Sequence, residues 1–216
     1  MKTLVAIPCM DMMHTDFVRS LLGLRVSGEV QYTFAQASLV YDGRNTLANA
    51  AIDGGFDQVL WLDSDMLFTP ELLEQLQADL DEGHACVSAL YFSRKAPVKP
   101  VIYKSCFLDT SGETPMPRAD CFFDYPENAV FPVAACGFGA VLMRTELLRK
   151  VRDRFGLPFS PALGFGEDMS FCMRCTELGE PILCDSRIKP GHVGLCVFNE
   201  AAYKLRLERE KNGGTP

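Results

Sequence analysis

The stretch that most constrains this fold is residues 59–68, where a run of apolar residues leads directly into two aspartates. Its first four residues are apolar and include Trp61, the only Trp of the chain, which is typical of a strand buried on both faces. Burying a bare carboxylate is costly, so Asp63 and Asp65 need a cation, a hydrogen-bond network or a shared proton. Two interpretations are open here. The pair holds a divalent metal, or Asp65 or Thr69 caps the next helix while Asp63 bonds loop amides.

Apolar strand segments alternate with helical segments from the first residue to about residue 91, which predicts βαβ units and a parallel sheet. In this half, strands are predicted at 3–8, 30–35, 59–62 and 85–90. Helices are predicted from the loop after the first strand to about residue 24, from Asp42 as N-cap to the stop at Gly54, and at 70–81. The second half is predicted to hold strands at 99–106, 129–135, 140–143, 181–184 and 188–192, helices at 146–154, 167–178 and 199–211, and loops at 110–118 and 157–166.

The length of 216 residues fits one domain over residues 1–212, with a disordered tail at 213–216. The sequence has no run of about 18 apolar residues, so no membrane span is predicted. The apolar start is too short for a signal peptide and Asp11 follows it closely, so a cytoplasmic protein is expected. The formal net charge of -7 argues against non-specific nucleic-acid binding. It also means that a diphosphate ligand needs a metal or a few placed cationic side chains.

The nine cysteines are an odd number without a secretory signal, which favours reduced thiols. Several fall in apolar patterns and are expected to be buried, namely Cys9, Cys86, Cys136, Cys184 and Cys196. Cys172 and Cys175 have the spacing of a redox or zinc pair. A zinc site needs about four ligands and no second close pair exists, so these two are predicted to share one face of a helix.

A divalent metal would find ligands in two places. Strand alternation sends Asp63 and Asp65 to the same side, where they could share one cation, and hard oxygen ligands suit Mg²⁺ or Mn²⁺. His192 lies between two glycines after a short strand, which is a natural position for a loop ligand. A buried His192 bonded to a backbone carbonyl is the alternative.

Two further stretches carry charge at helix starts. Glu167 and Asp168 begin a predicted helix, whose N-terminus stabilises an anion by about 0.3–1 kcal/mol, so Asp168 is expected to stay ionised near neutral pH and could act as a base. Ordinary first-turn acids are the alternative. Arg44 faces the positive end of its helix dipole, which favours contact with a phosphate or a carboxylate over a surface position without a role.

This set of motifs, in this order, resembles the GT-A fold of nucleotide-sugar-dependent glycosyltransferases, in particular the family 2-like group. The matching segments are a strand that ends in a Pro-containing loop (6–8), an Asp-x-Asp motif after a hydrophobic strand (60–66), a glycine-rich segment (136–144), a Glu-Asp motif at a helix start (166–171) and a late His192. The resemblance spans residues 3–194 and implies an α/β fold, a Rossmann-like αβα sandwich with a central, mostly parallel sheet. The first loop departs from the commoner pattern, which blurs the base selectivity.

On the donor side, the resemblance implies a nucleotide-sugar donor, with a UDP-sugar expected first, and Mn²⁺ or Mg²⁺ as the cofactor. The implied metal ligands are Asp65 and His192, with Asp63 contacting the metal through water or the ribose. The other implied donor contacts are Pro8 at the base, Arg44, Asn45 and Ser64.

On the acceptor side, the resemblance implies Asp168 as the general base if the reaction inverts the anomeric carbon, and Glu167 as the residue that orients a saccharide, protein or other hydroxyl acceptor. Segments 110–123 and 157–166 are expected to recognise that acceptor. A sugar nucleotidyltransferase is the second hypothesis, weakened because the loop after the first strand has neither glycine nor a basic residue. A non-catalytic carbohydrate- or partner-binding protein is the third.

Overall fold

The structure is a computed structural model that describes residues 1–194 and 197–212, apart from the side chain of Phe198. In chain order the elements are β1 (Lys2–Cys9), α1 (Thr15–Gly23), β2 (Glu29–Gln36), α2 (Val40–Asp53), β3 (Gln58–Leu62), β4 (Met66–Leu67), α3 (Leu72–Asp81), β5 (Cys86–Ala89), β6 (Ile102–Asp109), β7 (Met116–Cys121), β8 (Val130–Val133), β9 (Ala135–Cys136), β10 (Ala140–Arg144), α4 (Thr145–Phe155), α5 (Glu167–Glu177), β11 (Ile182–Asp185), β12 (Gly191–Val193), β13 (Val197–Phe198) and α6 (Glu200–Lys211).

A seven-stranded sheet organises these elements in the order β2-β1-β3-β10-β5-β11-β8. Strands β2, β1 and β3 are parallel, and β5 is parallel to β11. Strand β10 runs antiparallel between β3 and β5, and β8 is antiparallel to β11 at the edge. The predicted α/β fold with a mostly parallel central sheet is therefore confirmed.

Both faces of this sheet are covered, and strand alternation divides its side chains between two cores. In β1, Leu4 and Ala6 join the core under α2, α4 and α5, while Val5 and Ile7 join the core under α1 and α3. Trp61 belongs to the first core and is fully buried. Helices therefore lie on both faces, which is the predicted αβα sandwich.

Two small sheets extend the fold. Strands β13, β12 and β4 form one, in which His192 pairs with Met66. Strands β7, β6 and β9 form the other. The first of these positions the site, because it brings the loop after β3 next to the strand that carries His192.

Three predictions of local structure were wrong. Helix α2 begins at Val40, so Asp42 lies in its first turn and is not the N-cap. The loop predicted at 110–118 is shorter, because Met116 and the residues after it pair with β6. The residues of β7 alternate between exposed and half-buried and carry no strong apolar signal, so backbone hydrogen bonds define this strand. Cys9 is partly exposed and not buried.

Other predictions on the cysteines and termini have mixed outcomes. Cys86, Cys136 and Cys184 are buried thiols, and Cys172 and Cys175 are buried on α5, as predicted. The prediction for Cys196 and the predicted tail at 213–216 lie outside the described residues. Within the part of the chain that the structure describes, no helix combines the length and apolarity needed to cross a membrane.

Candidate active site

A cavity of about 810 Å³ opens at the carboxyl ends of β1, β2 and β3. This edge is where open α/β sheets bind ligands. Most of the sequence-predicted site residues line it, namely Pro8, Arg44, Asp63, Ser64, Asp65, Glu167, Asp168 and His192. The fold thus brings together five sequence segments that lie far apart in the chain.

Asn45 is the predicted site residue that does not line this cavity. It is 6% exposed, and its side-chain oxygen accepts a hydrogen bond from the Phe159 amide at 2.9 Å. That bond ties the loop before α5 to helix α2. The structure therefore gives Asn45 a supporting contact, and a contact with the donor stays a prediction.

Arg44 links two of the acidic motifs. Its Nη2 donates to Asp63 Oδ1 at 2.7 Å and its Nε donates to Glu167 Oε1 at 3.2 Å. The guanidinium carbon lies 5.8 Å from the ring centroid of Trp61 and 5.4 Å from that of Phe138. Of the two partners considered from the sequence, a phosphate or a carboxylate, the structure shows carboxylates.

Asp65 and His192 form the second pair of the site. His192 Nδ1 lies 3.0 Å from the Phe92 carbonyl oxygen, which can only accept, so Nδ1 carries the hydrogen. Its Nε2 faces Asp65 Oδ2 at 3.4 Å. The Val193 amide donates a hydrogen bond to the Asp65 carbonyl oxygen at 2.7 Å, and this bond holds the two segments together.

The surroundings of this pair favour a negative charge on Asp65 and a positive charge on His192. Burial by itself would raise the pKa of Asp65, but the hydrogen bond and charge of His192 and the charge of Arg94 outweigh it and lower that pKa. Burial would lower the pKa of His192, but Asp65 raises it. A neutral His192 would present a lone pair to a carboxylate oxygen, so a proton or a cation belongs between them.

These observations test whether the implied metal fits. In metal sites the other ring N–H of a ligating His usually donates a hydrogen bond to a carbonyl or carboxylate oxygen, and carboxylate oxygen suits Mg²⁺ or Mn²⁺. Asp65 and His192 therefore fit as two protein ligands. Among the described residues, no three His, Cys, Asp or Glu side chains converge on one point, so other ligands would have to come from the substrate or water. Asp63 is engaged by Arg44 instead.

Glu167 and Asp168 start α5, whose N-cap is Gly166. Asp168 Oδ1 accepts a hydrogen bond from the Met169 amide at 2.7 Å. Burial, followed by the neighbouring charge of Glu167, raises the pKa of Asp168 to about 6. The helix start was expected to favour the anion, but burial has the larger effect. The group is still largely ionised at neutral pH, and a base with a pKa near the working pH is effective.

The glycine-rich segment between β9 and β10 makes room for Tyr91. A Cβ on Gly137 would lie 2.0 Å from the Tyr91 hydroxyl oxygen, and the Gly139 amide donates to that oxygen at 3.2 Å. The Tyr91 ring packs edge-on against His192, with ring centroids 5.6 Å apart. The two glycines therefore leave space for the Tyr91 ring, which in turn packs against the ring of His192, the candidate metal ligand.

Another part of the cavity wall is apolar. It is lined by residues of the loop after β1 and of the start of α2, among them Cys9, Met10, Met12, Met13 and Val40. The His14 amide donates to the Ser64 carbonyl oxygen at 3.4 Å, so this loop is attached to the turn that carries the aspartates. Methionine sulfur makes favourable contacts with flat aromatic rings, including those of nucleobases.

Sequence reasoning missed Tyr91 and Arg94, which both line the cavity. Arg94 Nη1 donates to Asp65 Oδ2. Tyr91 directly follows the apolar run of β5, so the sequence does not distinguish it from a core residue. The available signal for Arg94 was that a diphosphate in an acidic protein needs a metal or a few placed cationic side chains, of which only Arg44 was identified from the sequence.

Comparison with known proteins gives a fold likeness. No protein-family profile and no curated protein matches the chain. The crystal structure of A197 from STIV is similar with a TM-score of 0.65 at 19% identity, over 90% of this chain and 86% of that one. The structure of S. aureus TarS 1-349 is similar with a TM-score of 0.51 at 15% identity, over 86% of this chain and 58% of that one. The chain thus spans 58% of the TarS structure.

Identities this low show the fold and not the activity. Together with the sheet order, the two likenesses agree with the fold class that the sequence resemblance implied, and membership of family 2 stays a prediction. The chain therefore has a GT-A-like αβα fold, with its candidate site at the carboxyl edge of the sheet.

Proposed function

We propose that this protein is a metal-dependent glycosyltransferase that moves a sugar from a nucleotide-sugar donor to a hydroxyl acceptor. The observation that carries the proposal is the pairing, in one cavity, of a candidate cation site at Asp65 and His192 with a half-buried carboxylate at Asp168. The first serves a diphosphate leaving group and the second serves a hydroxyl nucleophile.

The donor would lie along the cavity with its base at the apolar, methionine-lined part of the wall and its diphosphate at Asp65 and His192. Pro8, Ser64 and Asp63 line the same cavity and would contact the nucleoside. Mn²⁺ or Mg²⁺, when bound, supplies positive charge for the leaving diphosphate. A UDP-sugar remains the first donor to test.

For an inverting transfer, Asp168 accepts the proton of the acceptor hydroxyl. The acceptor oxygen then bonds to the anomeric carbon while the bond from that carbon to the diphosphate oxygen breaks, and the nucleoside diphosphate leaves with the bonding electrons. Glu167 would orient the acceptor. Its own position is held by the hydrogen bond that Arg44 Nε donates to Glu167 Oε1 at 3.2 Å. The loop before α5, at residues 157–166, would form one wall of the acceptor site.

The first experiment is a thermal-shift screen of UDP-, GDP-, CMP- and dTDP-sugars, each with and without Mn²⁺. A ligand that binds only the folded state raises the melting temperature, so a donor should do so and should need the metal. Release of the matching nucleoside diphosphate would then be measured for Asp65→Ala, His192→Ala and Asp168→Asn. Glu113→Gln, in the exposed turn between β6 and β7, is the control.

Each of the three site variants should fold and lose activity. For Asp168→Asn, which removes the general base, the loss should be about 10²–10⁴-fold. Full activity of Asp65→Ala, or full activity in excess chelator, would contradict the metal-dependent reaction. Pyrophosphate release from a nucleoside triphosphate and a sugar phosphate would favour the nucleotidyltransferase instead. Saccharide binding without any donor turnover would favour the non-catalytic protein.

A further inference from the structure

We propose that Arg94 is an exchangeable counter-ion of the site: it neutralises Asp65 in the free protein and moves to the donor diphosphate when a divalent cation takes its place at Asp65. The inference rests on the proposed function and concerns how the same site is loaded.

The first step is that Arg94 and a metal need the same oxygen. Arg94 Nη1 donates to Asp65 Oδ2, and this is also the oxygen that faces His192 Nε2 at 3.4 Å. A cation bound between Asp65 and His192 must therefore displace the guanidinium or share its carboxylate with it. Both compete for one negative charge, so Arg94 weakens the binding of a metal on its own.

The second step is that Arg94 can move at low cost. Its side chain is 51% exposed and makes one ion pair. It extends from a loop whose base is held by the hydrogen bond from Ser93 N to Lys99 O, at 2.8 Å, and by the bridge between Phe92 and Pro100. An exposed pair of this kind contributes about 0–1 kcal/mol, so the loop stays in place when the pair breaks.

Arg44 is the contrasting case. It is 2% exposed, is bonded to Asp63 and Glu167, and lies between two aromatic rings. Moving it would leave two carboxylates unpaired. Arg44 is therefore a fixed part of the site, and Arg94 is the arginine that remains to meet a ligand.

The third step is the charge of the cavity wall. Among the described residues that line the cavity, four carboxylates (Asp63, Asp65, Glu167 and Asp168) face two guanidinium groups, with no lysine. A diphosphate that entered this cavity alone would meet net negative charge. With the metal at Asp65 and Arg94 released, two positive groups become available together.

This arrangement makes the binding of metal and nucleotide cooperative. The metal frees Arg94 for the diphosphate, and the diphosphate holds Arg94 away from Asp65, so each ligand raises the affinity for the other by the same factor. Removing the Arg94 charge should therefore have opposite effects on the two ligands. It should help Mn²⁺ alone and harm the nucleotide.

The test is calorimetric titration of Arg94→Gln and the wild-type protein with Mn²⁺ alone, and with UDP and GDP in the presence of Mn²⁺. We expect Arg94→Gln to bind Mn²⁺ about three- to fivefold more tightly in the absence of nucleotide, the effect of one exposed ion pair. We expect the better of the two nucleotides to bind that variant several-fold more weakly. Arg94→Lys, which keeps the charge, should bind nucleotide more tightly than Arg94→Gln does.

Arg19→Gln is the matched control, because Arg19 is an exposed arginine with one ion pair, to Asp16 on α1. It should leave both affinities unchanged. Asp65→Ala separates the two proposals. If Asp65→Ala abolishes Mn²⁺ binding while Arg94→Gln binds Mn²⁺ as the wild type does, the exchange is refuted and the metal site stands. If the wild type binds neither Mn²⁺ nor nucleotide, both proposals are refuted. Weaker binding of both ligands by Arg94→Gln would also refute the exchange.

Discussion

Arg44 Nη2 donates a hydrogen bond to Asp63 Oδ1 across 2.7 Å, and the same guanidinium reaches Glu167 at 3.2 Å. These three residues come from α2, from the loop after β3 and from the start of α5. The arginine therefore joins the two acidic motifs that the sequence presents more than a hundred residues apart. Desolvation works against its charge, but Asp63 and then Glu167 outweigh that effect and raise the pKa of Arg44.

Replacing Arg44 by Met should destabilise the protein by about 3 kcal/mol, because removing one partner of a buried ion pair leaves the others uncompensated. The value is expected at the lower end of the usual range, since the side chain of Asp63 is 31% exposed. The measurement is urea-induced unfolding. Combining Arg44→Met with Asp63→Asn and Glu167→Gln should recover part of the loss. A loss below about 1 kcal/mol in the single variant would show that the link contributes little.

The pKa of Asp168, raised to about 6 by burial and by Glu167, predicts the acid side of the pH profile. A general base must be unprotonated, so activity should be full above this pKa and should fall as the pH decreases through about 6. Glu167→Gln removes a neighbouring negative charge. The pKa of Asp168 should then decrease and the acid limb should move to lower pH.

Two measurements check this prediction. One is kcat/KM against pH for the wild type and Glu167→Gln, and the other is the carboxyl carbon shift of Asp168 by NMR, which reads the pKa whatever the reaction is. An acid limb that does not move, or that moves to higher pH, would mean that Glu167 does not act on Asp168 through its charge.

The sequence contained enough to place most of this site, because each motif ends or begins a regular element. The apolar run before Asp63 predicts a buried strand, and its carboxyl end is a ligand edge in any fold of this class. Gly166 and Glu167 predict a helix start in the same way. Such signals are local and depend on periodicity, which a single sequence shows directly.

The partners within the site could not be predicted, because they are contacts between distant segments. Arg94 lies 29 residues from Asp65, in a loop with no periodic pattern, and Asn45 lies 114 residues from Phe159. The position of β10 is a similar case. Its apolar pattern predicts a strand, but the antiparallel insertion between β3 and β5 depends on how the whole sheet assembles.

A buried acid outside the site, Asp79, predicts a pH-dependent stability. It is 2% exposed on α3, and burial, then the neighbouring Asp185, raise its pKa to about 6. Because the pKa is higher in the folded state than its ordinary value, the folded state binds the proton more tightly. The stabilisation is fully present below the unfolded pKa of about 4 and is lost as the pH rises through about 6.

Asp79→Asn should therefore raise the melting temperature at pH 8 relative to the wild type, by about 2–4 °C for each kcal/mol recovered. Its amide oxygen can still accept from Arg187, which donates to Asp79 Oδ1 at 2.6 Å. At pH 4 the two proteins should melt at similar temperatures. Thermal unfolding followed at pH 4, 6 and 8 gives the comparison, and a variant that is less stable at every pH would show that Asp79 is needed as an anion.

Gly137 tests the packing behind His192. An added Cβ would meet the Tyr91 hydroxyl oxygen at 2.0 Å and the Val101 side chain at 2.8 Å, so both side chains or the backbone of the segment have to move. Gly137→Ala should destabilise the protein by about 1–3 kcal/mol, the usual cost of overpacking. It should also weaken Mn²⁺ binding, because the displaced Tyr91 ring contacts His192 edge-on.

Gly23→Ala is the matched control, because a Cβ at Gly23 meets no atom within 4 Å and the position ends a helix. Its stability should stay within about 0.5 kcal/mol of the wild type. Loss of stability without loss of Mn²⁺ affinity in Gly137→Ala would mean that Tyr91 can shift without moving His192. The ring would then support the strand alone, and the orientation of His192 would rest on its hydrogen bond to the Phe92 carbonyl oxygen.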